Sequence, residues 1–472
     1  GGSGYRGGSG GGRGGDRGYR GGSGGDRGGD RGYRDGERGR SRRVYDDEPR
    51  DGLLADLVGH LHALDGRSYA AYKAIVGRYR APAGWFLHID RVQSDPYAPP
   101  TRIHVDVPTD LHGLELLDEA DLLADADRRL AVGDFLTREL HAGFRGTALS
   151  IASPGQEILQ RSSVILRPGE KKEGAGWVLE VRARLALPAQ GRSIQGHEAS
   201  RIVGRDLVRE LEEAMDLTGE RGDRLVRHVA TLEDHRALTA TVARNGWVAF
   251  LADGSVLPRR SGVSDEPLDG GVPLEAPNSM AATVELPHAG TVRGTVVEAG
   301  VNVIVGGGYH GKSTLLSAIE RGVYPHVPGD GRELVATVPD AVKVRAADGR
   351  AVTGVDLTPF ISHLPAGRDT ASFTTRNASG STSQAASIIE AVEAGSTALL
   401  LDEDTSATNL LIRDSRMREL VSAEREPITP LVDRITALFR RRGVSTVMVM
   451  GGSGDYLDVA DRVLLMDAYH LR

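Results

Sequence analysis

The chain has 472 residues, a formal net charge of −7 and no cysteine, and its length is enough for roughly two or three domains. Without cysteine, disulfides and thiolate metal sites are excluded, which fits the reducing environment of the cytoplasm. No apolar run approaches the ~20 residues that a helix needs to cross a bilayer, so we expect a soluble, cytoplasmic protein without a membrane partner.

Residues 1–43 are rich in Gly and Arg and carry a charge of their own. They hold eleven arginines against five acidic residues, and a Gly-Tyr-Arg unit recurs at residues 4–6, 18–20 and 32–34. Because almost no aliphatic side chain offsets the entropy lost on ordering, we predict a disordered tail over 1–50. Arg, Gly and Tyr together are typical of segments that bind single-stranded nucleic acid, so we expect RNA as a partner. The alternative is a tail that acts only as a solubilising linker.

The next part of the chain, residues 51–245, is predicted to form a mixed α/β domain. Its residue pattern predicts helices over 53–61, 68–79, 122–141, 199–215 and 223–243, and strands over 85–90, 102–107, 158–167 and 177–187. The sequence indicates no catalytic constellation in this domain. Four histidines occur without the spacing of metal ligands, and we predict that they are core or surface residues rather than ligands: His60, His62, His88 and His104.

A nucleotide-binding domain is predicted over 246–472. Its predicted strands before the central motif are at 247–251, 282–286, 292–297 and 301–305, and helices are predicted at 315–319 and 385–394. The motif between strand and helix has the form G-x-x-x-x-G-K-S, in the context that a P-loop requires.

This motif predicts a phosphate-binding loop. Glycines allow backbone N–H groups to surround phosphate oxygens, and the N-terminus of the helix adds further donors. Lys312 is expected to reach the β- and γ-phosphates of ATP, and Ser313 to hold Mg²⁺. The residues that we expect to bind the nucleotide here are Gly306, Gly307, Gly308, Tyr309, His310, Gly311, Lys312, Ser313 and Thr314.

An apolar strand at Thr397–Leu401 ends in the acid pair Asp402-Glu403. Asp402 is expected to reach Mg²⁺, and Glu403 to polarise the attacking water, with Lys312 as the second catalytic residue. The alternative is a buried parallel strand capped by surface acids. The P-loop upstream in the chain favours the catalytic interpretation.

Two strings in this domain resemble the ABC ATPases. Ser379–Gln384 is similar to their signature turn, with Ser-Thr-Ser in place of the usual Gly-Gly. Asp402–Asn409 resembles the run that contains their Walker B acids and D-loop, from which Asp404, Thr408 and Asn409 depart.

This resemblance implies an α/β fold, with an ABC-type P-loop NTPase domain after the mixed α/β N-terminal domain. It also implies that ATP lies between the P-loop of one subunit and the signature turn of a second. Because the chain contains one P-loop motif, we expect a homodimer with two composite sites. The residues that the signature turn is expected to bring to the nucleotide are Ser379, Gly380, Ser381 and Gln384.

More narrowly, the chain resembles a family described as predicted ATPases of the ABC class, over roughly residues 51–472. The strings that carry this resemblance are Pro328–Glu333, Ala378–Ser387, Leu401–Asn409, Glu426–Pro430 and Gly451–Tyr456. Members continue beyond the final strand region, which is Ala460–Asp467 here, so we expect the chain to lack a C-terminal segment.

Two departures from ordinary ABC ATPases bear on turnover. No Gln lies between the P-loop and Gln384 to serve as the Q-loop residue, and the loop Ala347–Arg350 is a candidate replacement. No His follows the strand that ends at Met450, and Ser453 or Asp455 is expected to approach the γ-phosphate instead. Neither side chain supplies the charge of a protonated His, so we expect slow hydrolysis. An ATP-dependent binding switch with negligible turnover stays open as the alternative.

Overall fold

The computed structural model describes residues 50–169, 176–362, 364, 369–412, 426–452 and 454–472. These residues belong to one compact unit, Asp47–Arg472. The Gly/Arg-rich tail lies outside them, so its disorder and its RNA binding stay predictions. None of the helices in the described part of the chain is both long and apolar enough to span a bilayer.

The N-terminal part folds around a sheet of seven strands: β1 (Arg50–Leu53), β2 (Gly77–Arg80), β3 (Phe86–Arg91), β4 (Thr101–Pro108), β5 (Leu149–Ser150), β6 (Val164–Pro168) and β7 (Trp177–Leu185). They lie in the order β1-β2-β3-β4-β7-β5, and β6 also pairs with β7. The β1–β2 pair is parallel and the other pairs are antiparallel. Because side chains alternate between the two faces of a strand, Ile103 and Val105 of β4 enter the core while Arg102 and His104 face away from it.

Helices cover the apolar face of this sheet. They are α1 (Leu54–Ala63), α2 (Leu116–Glu119), α3 (Ala126–Gly143), α4 (Gly196–Arg201), α5 (Leu207–Met215) and α6 (Gly219–Arg244), and a π-helical turn, Ile202–Asp206, joins α4 to α5. A short hairpin of β8 (Ala189–Gln190) and β9 (Ser193–Ile194) precedes α4. Leu136 of α3, Leu211 of α5 and Val105 of the sheet belong to the same buried core.

The helix predicted over 68–79 is wrong in its second half. The structure has a 3₁₀ helix at Tyr69–Ile75 and then strand β2. Gly77 has a φ of 156°, and a Cβ on it would lie 2.3 Å from the carbonyl oxygen of Arg50, so glycine allows β1 and β2 to pair. The helix predicted from residue 122 begins only at Ala126, because the side chain of Asp125 caps the backbone N–H of Arg128 at 2.9 Å.

The rest of the chain contains two main sheets. Its strands are β10 (Trp247–Ala252), β11 (Arg259–Ser261), β12 (Ser264–Pro267), β13 (Ala281–Leu286), β14 (Gly290–Glu298), β15 (Val301–Gly306), β16 (Val335–Thr337), β17 (Val342–Val344), β18 (Val352–Val355), β19 (Phe373–Thr375), β20 (Ala398–Asp402), β21 (Ser445–Val449), β22 (Arg462–Asp467) and β23 (His470–Leu471). Its helices are α7 (Lys312–Arg321), α8 (Gly380–Glu393), α9 (Thr408–Leu411) and α10 (Ile435–Arg442), with 3₁₀ turns at Asn278–Met280, Glu403–Thr405 and Leu431–Asp433.

The larger of these sheets has the order β17-β20-β21-β15-β22-β23, and its first five strands are parallel. β20 and β21 are buried along their whole length, as expected for parallel strands that are covered on both faces. The second main sheet is antiparallel, with the order β13-β14-β10-β16, and its strand β16 follows β15 of the parallel sheet in the chain. β11–β12 and β18–β19 form two-stranded pairs. The fold is therefore an α/β P-loop domain that follows a mixed α/β N-terminal domain, as predicted.

Helix α6 connects the two parts. Leu225 and Val229 lie in the core of the N-terminal part, whereas Leu238 and Val242 lie in the core of the nucleotide-binding part. A second connection pairs the backbone of residues 156–158 with that of residues 325–327, through hydrogen bonds of 2.7 and 2.9 Å. The domain boundary at residue 245/246 stays a prediction, since α6 contributes to both cores.

Candidate nucleotide-binding site

The residues with predicted catalytic roles meet at one edge of the parallel sheet. β21 lies between β15 and β20, and Val449 is opposite both Ile304 and Asp402. Because parallel strands all end at the same edge, the P-loop after β15, the acids after β20 and the turn after β21 come together there. Ligands of open α/β sheets bind at this edge.

The glycines of the P-loop are needed for its shape. Gly306 has a φ of 144°, and a Cβ there would lie 2.2 Å from the carbonyl oxygen of Met466. Gly311 has a φ of 97° and caps the N-terminus of α7. Tyr309 also adopts a left-handed conformation, with a φ of 64°, and its side chain is 97% exposed. The strand and the helix predicted on either side of this loop are confirmed.

Lys312 lies at the start of α7 and its side chain folds back over the loop. Its Nζ donates hydrogen bonds of 2.8 Å to the carbonyl oxygens of Gly306 and Gly307. The ammonium group therefore lies inside the curve of the loop, together with the N-terminal end of the helix. Positive charge and helix N–H groups in one concave loop are suited to an anionic phosphate chain.

A hairpin at the end of the described chain supports the P-loop from the side. The turn between β22 and β23 has Ala468 and Tyr469 in left-handed conformations, with φ of 47° and 70°. The N–H of Tyr469 donates to the carbonyl oxygen of His310 at 3.2 Å. The N–H of Ala468 donates to Nδ1 of the His310 ring at 3.1 Å. Asp467 lies 3.6 Å from the same Nδ1. The ring of His310 is thus held by the hairpin.

The acid pair follows β20 directly. Asp402 is 6% exposed, and its side chain accepts the N–H of Asp404 at 3.1 Å. Oε2 of Glu403 accepts the N–H of Gly451 at 2.5 Å and that of Gly452 at 3.3 Å. The sequence patterns did not predict this contact. The pair Gly451-Gly452 after an apolar strand was nevertheless a signal, because glycines leave their backbone N–H groups accessible.

The signature turn is bonded to the segment that follows the acid pair. Ser381 donates to Oδ1 of Asn409 at 2.8 Å. Gln384 is fully buried: its Nε2 donates to Ser406 at 2.9 Å and its Oε1 accepts the N–H of Ala407 at 2.7 Å. Ser379, at the N-terminus of α8, is exposed. Within the described residues, no hydrogen bond joins the turn to the P-loop of the same chain.

The loop Ala347–Arg350 lies between the signature helix and the acid strand. The N–H of Ala347 donates to the Ser383 hydroxyl at 2.9 Å, and the N–H of Ala346 donates to the carbonyl oxygen of Thr405 at 3.0 Å. Arg350 forms a 2.7 Å ion pair with Glu390 of α8. The loop therefore contacts α8, while the residue before it contacts the turn after the acid pair, and its role as a Q-loop replacement stays a prediction.

Two further candidates follow β21. Ser453 lies outside the described residues. Asp455 is exposed and lies next to Tyr456, whose buried hydroxyl donates to the carbonyl oxygen of Leu411 at 2.8 Å. Burial raises the pKa of this phenol, so Tyr456 is a neutral anchor for the turn. The contact of Asp455 with a nucleotide stays a prediction.

The string Pro328–Glu333 forms a buried ionic cluster beside the site. Asp330 accepts both Nη atoms of Arg259 at 2.9 Å and lies 2.8 Å from Nδ1 of His326. Burial would raise the pKa of Asp330, but His326 and Arg259 together hold it below its usual range. Arg332 donates to the carbonyl oxygen of Leu257, and burial lowers its pKa to about 10. The cluster fixes the loop that carries Leu257.

A strand, a P-loop, a helix and an acid pair on a nearby parallel strand define a P-loop nucleotide-binding protein. A family model for the P-loop domain of the ABC ATPases matches residues 221–472. A second model, described as the N-terminal part of the ATPases of the ABC class, matches residues 54–217. Since the first match alone covers more than half of the chain, this protein belongs to the ATPases of the ABC class.

The uncharacterized protein MJ1628 of Methanocaldococcus jannaschii is 28% identical over 255 residues, which are 52% of this chain and 56% of that protein. The chain thus spans little more than half the length of this curated relative.

Two solved structures of ABC transporters show a weaker likeness. One, an inward-facing conformation of a metal-chelate type transporter, is 12% identical with a TM-score of 0.30, over 48% of this chain and 82% of the other. The other is CbiO1 of Clostridium perfringens, part of the CbiONQ transporter complex. It is 10% identical with a TM-score of 0.29, and the match covers 48% of this chain and 87% of CbiO1.

Proposed function

We propose that this protein binds Mg²⁺–ATP and hydrolyses it slowly, in a site completed by a second copy of the chain. The observation that carries the proposal is the convergence, at one sheet edge, of Lys312 inside its glycine loop with Asp402 and Glu403. The cation and the helix N-terminus would bind phosphate, one carboxylate would bind the metal ion, and the other would act as the base.

Each residue has a defined role in this proposal. The loop Gly306–Thr314 surrounds the phosphates with backbone N–H groups, and Lys312 moves from its two carbonyl partners onto the β- and γ-phosphates. Ser313 and Asp402 would hold Mg²⁺, which would neutralise charge on the transferred phosphoryl group. Glu403 accepts a proton from the attacking water. Because Oε2 is held by Gly451 and Gly452, Oε1 is the oxygen that turns to the water.

An apolar recess beside the loop supports a position for the base of the nucleotide. Leu257, Leu274 and Met466 line a small apolar recess together with Gly311, Thr314 and Tyr469. Tyr469 is 49% exposed, and its Cδ1 would lie 3.1 Å from a Cβ at Gly311, so its ring borders the phosphate loop. We propose that the adenine stacks on Tyr469 at the mouth of this recess.

The second half of each site comes from the facing subunit. The signature turn is bonded to residues 406–409 of its own chain, which leaves the exposed Ser379 and the half-buried Gly380 for a facing nucleotide. In a two-fold dimer these residues and Ser381 approach the γ-phosphate held by Lys312 of the other copy. Gln384 acts by positioning the turn, since both ends of its amide are already bonded.

A second candidate function is an ATP-dependent binding switch in which turnover is negligible. It is favoured by the two amide hydrogen bonds on Glu403 and by the absence of a His after Met450. Steady-state ATP hydrolysis, measured with and without RNA, separates the two. A rate that rises with RNA supports a coupled ATPase. ATP binding with no turnover beyond that of a Glu403→Gln variant supports the switch.

We propose RNA as the partner of the cytoplasmic protein, bound through the Gly/Arg-rich tail. The charge of the tail and its repeated Gly-Tyr-Arg units support this. The described part of the chain adds an exposed hollow of about 580 Å³ whose lining includes Arg102, Arg182 and Arg184. The alternative is a tail that only keeps the protein in solution.

Deletion of residues 1–43 tests the role of the tail. We expect weaker RNA binding and a flatter dependence on salt, because fewer phosphates are neutralised. A matched control replaces Tyr5, Tyr19 and Tyr33 by Ser, which preserves the charge: affinity should fall while the salt slope stays unchanged. If the deleted chain binds RNA with the affinity and salt slope of the full chain, the tail is only a linker.

A further inference from the structure

Three ligand-type side chains lie together on the outward-facing surface of the N-terminal sheet, away from the P-loop in the sequence. His88 of β3 is directly opposite His104 of β4, and Asp106 follows two residues later on β4. A nitrogen of each His and a carboxylate oxygen of Asp106 all lie within 4.8 Å of one another. We propose that His88, His104 and Asp106 bind a divalent first-row transition metal ion of the Zn²⁺ type.

The spacing of these groups suits one ion. Nε2 of His88 lies 3.1 Å from Oδ2 of Asp106, and the two imidazole rings are 4.1 Å apart and nearly parallel. Two ligands at zinc-like bond lengths in a tetrahedral site are themselves about 3.3 Å apart. The 3.1 Å between His88 and Asp106 is close to this separation, and the ligand atom of His104 lies within 4.8 Å of both.

The cluster contains a buried oxygen that has no hydrogen-bond partner among the described residues. This atom is Oδ1 of Asp106, whereas Nε2 of His88, which is also inaccessible to solvent, lies against Oδ2 of the same carboxylate. The side chain of Asp106 is 5% exposed and that of His88 is 20% exposed. Buried polar atoms are nearly always satisfied in native structures, so a missing partner requires an explanation. A cation bound by the carboxylate and the two imidazoles would give this oxygen its partner.

A carboxylate behind His104 completes the arrangement. Oδ2 of Asp90 lies 2.8 Å from Nδ1 of His104. A metal-binding His commonly donates its second N–H to such a carboxylate, which fixes the tautomer and the orientation of the ring. With Nδ1 engaged by Asp90, Nε2 is the nitrogen that His104 can offer to the ion.

The neighbouring charges decide which ions fit. Arg167 lies 3.0 Å from Oδ2 of Asp106, Arg182 pairs with Glu180, and Arg78 lies over the ring of Phe86. One carboxylate beside arginines is a poor site for Ca²⁺ or Mg²⁺, which need several oxygen ligands. Two imidazoles favour an ion that binds nitrogen.

The ion would join β3 to β4 and hold the middle of the sheet. Its ligands are on the side chains of two neighbouring strands, so binding restrains their register. The site is independent of the proposed ATP hydrolysis, because none of its residues belongs to the P-loop, the acid pair or the signature turn.

Calorimetric titration of the full chain with Zn²⁺, after treatment with a chelator, tests the site. We expect binding of one ion per chain that His88→Gln and His104→Gln each weaken by about tenfold or more. Co²⁺ in place of Zn²⁺ should give a visible absorption band that both variants lose. The matched control is His62→Gln, which removes a His that contacts His197 at 3.0 Å elsewhere on the surface and should leave the high-affinity site intact.

Two more variants keep the test decisive if a ligand variant fails to fold. Asp90→Asn retains all three ligands and should weaken Zn²⁺ about tenfold by loosening His104. Arg167→Gln removes a competing cation and should tighten Zn²⁺ binding severalfold. If the full chain and Arg167→Gln both fail to bind Zn²⁺, or if binding is the same with and without His88 and His104, the cluster is an ordinary ion-pair network and the proposal is overturned.

Discussion

Glu403 accepts a hydrogen bond of 2.5 Å from the backbone N–H of Gly451, at the end of the strand between the acid strand and the P-loop strand. In the ABC ATPases that the sequence resembles, a His follows this strand. Here a backbone donor holds the carboxylate that we propose as the base. The contact links the position of the base to the conformation of the turn after β21.

Replacing Glu403 by Gln should leave ATP binding intact and reduce turnover by about 10²-fold or more, because an amide cannot accept a proton from water. Binding is measured by calorimetry and turnover by phosphate release. Asp404→Asn is the control, since Asp404 is the exposed neighbour and has no proposed role. Hydrolysis at the unchanged rate in Glu403→Gln would show that another group is the base.

Replacing Lys312 by Ala should abolish tight ATP binding, because it removes the charge that faces the β- and γ-phosphates. The control is Lys343→Ala, which removes a lysine that is paired with Glu320 at 2.8 Å on another surface. Calorimetry with Mg²⁺–ATP should show the loss only in the first variant. Equal affinities in the two variants would refute the P-loop assignment.

Replacing Tyr469 by Ala should weaken ATP binding by about 1–3 kcal/mol, as for the loss of a stacking platform. Binding of inorganic triphosphate should change little, because the phosphate loop is intact. Tyr324, exposed to a similar degree at 45%, provides the control as Tyr324→Ala. An equal loss for ATP and triphosphate would mean that Tyr469 only supports the loop.

A Glu403→Gln chain should form a dimer that tightens with Mg²⁺–ATP, since hydrolysis cannot reopen it. Light scattering with and without nucleotide measures this. Ser381→Arg in the same background should block the dimer and leave ATP bound to each monomer, whereas Ser94→Arg, on an exposed loop, should not. A chain that hydrolyses ATP while it remains monomeric at every concentration would contradict the composite site.

Acid should destabilise the contact between α6 and the end of α7. Burial lowers the pKa of His235 to about 4, and its Nε2 lies 3.2 Å from the carbonyl oxygen of Gly322. Its ordinary pKa is 6.5, so between pH 6.5 and 4 the unfolded chain binds a proton that the folded chain excludes, and stability falls as pH falls. The loss from this group reaches about 3 kcal/mol at pH 4.

Urea denaturation across this pH range measures the effect. His235→Gln should flatten the acid slope in part, because His228 is also buried with a lowered pKa and acts in the same direction. His470→Gln, at a histidine that is exposed, should leave the slope unchanged. If the acid slope of His235→Gln equals that of the original chain, His235 does not contribute to the loss of stability in acid.

Local sequence determined the parts of this protein whose structure depends only on a short stretch of neighbouring residues. The strand–loop–helix around Lys312 and the strand that ends at Asp402 were predictable, because glycine conformations and apolar runs act within a few residues. The same patterns, with their order along the chain, indicated the family to which the protein belongs. Local patterns failed over residues 68–79, where the pairing of Gly77 with Arg50 decides the structure.

The tertiary structure alone decided which distant residues meet. Four histidines had no metal-type spacing in the sequence, yet the antiparallel register places His88 opposite His104 and beside Asp106. The order of strands in the parallel sheet places Gly451 against Glu403, although 47 residues separate them in the chain. Both contacts depend on strand pairing, between consecutive strands for His88 and His104 and between distant segments for Gly451 and Glu403. The free energy that selects this pairing comes from burial of the whole sheet rather than from the residues that meet.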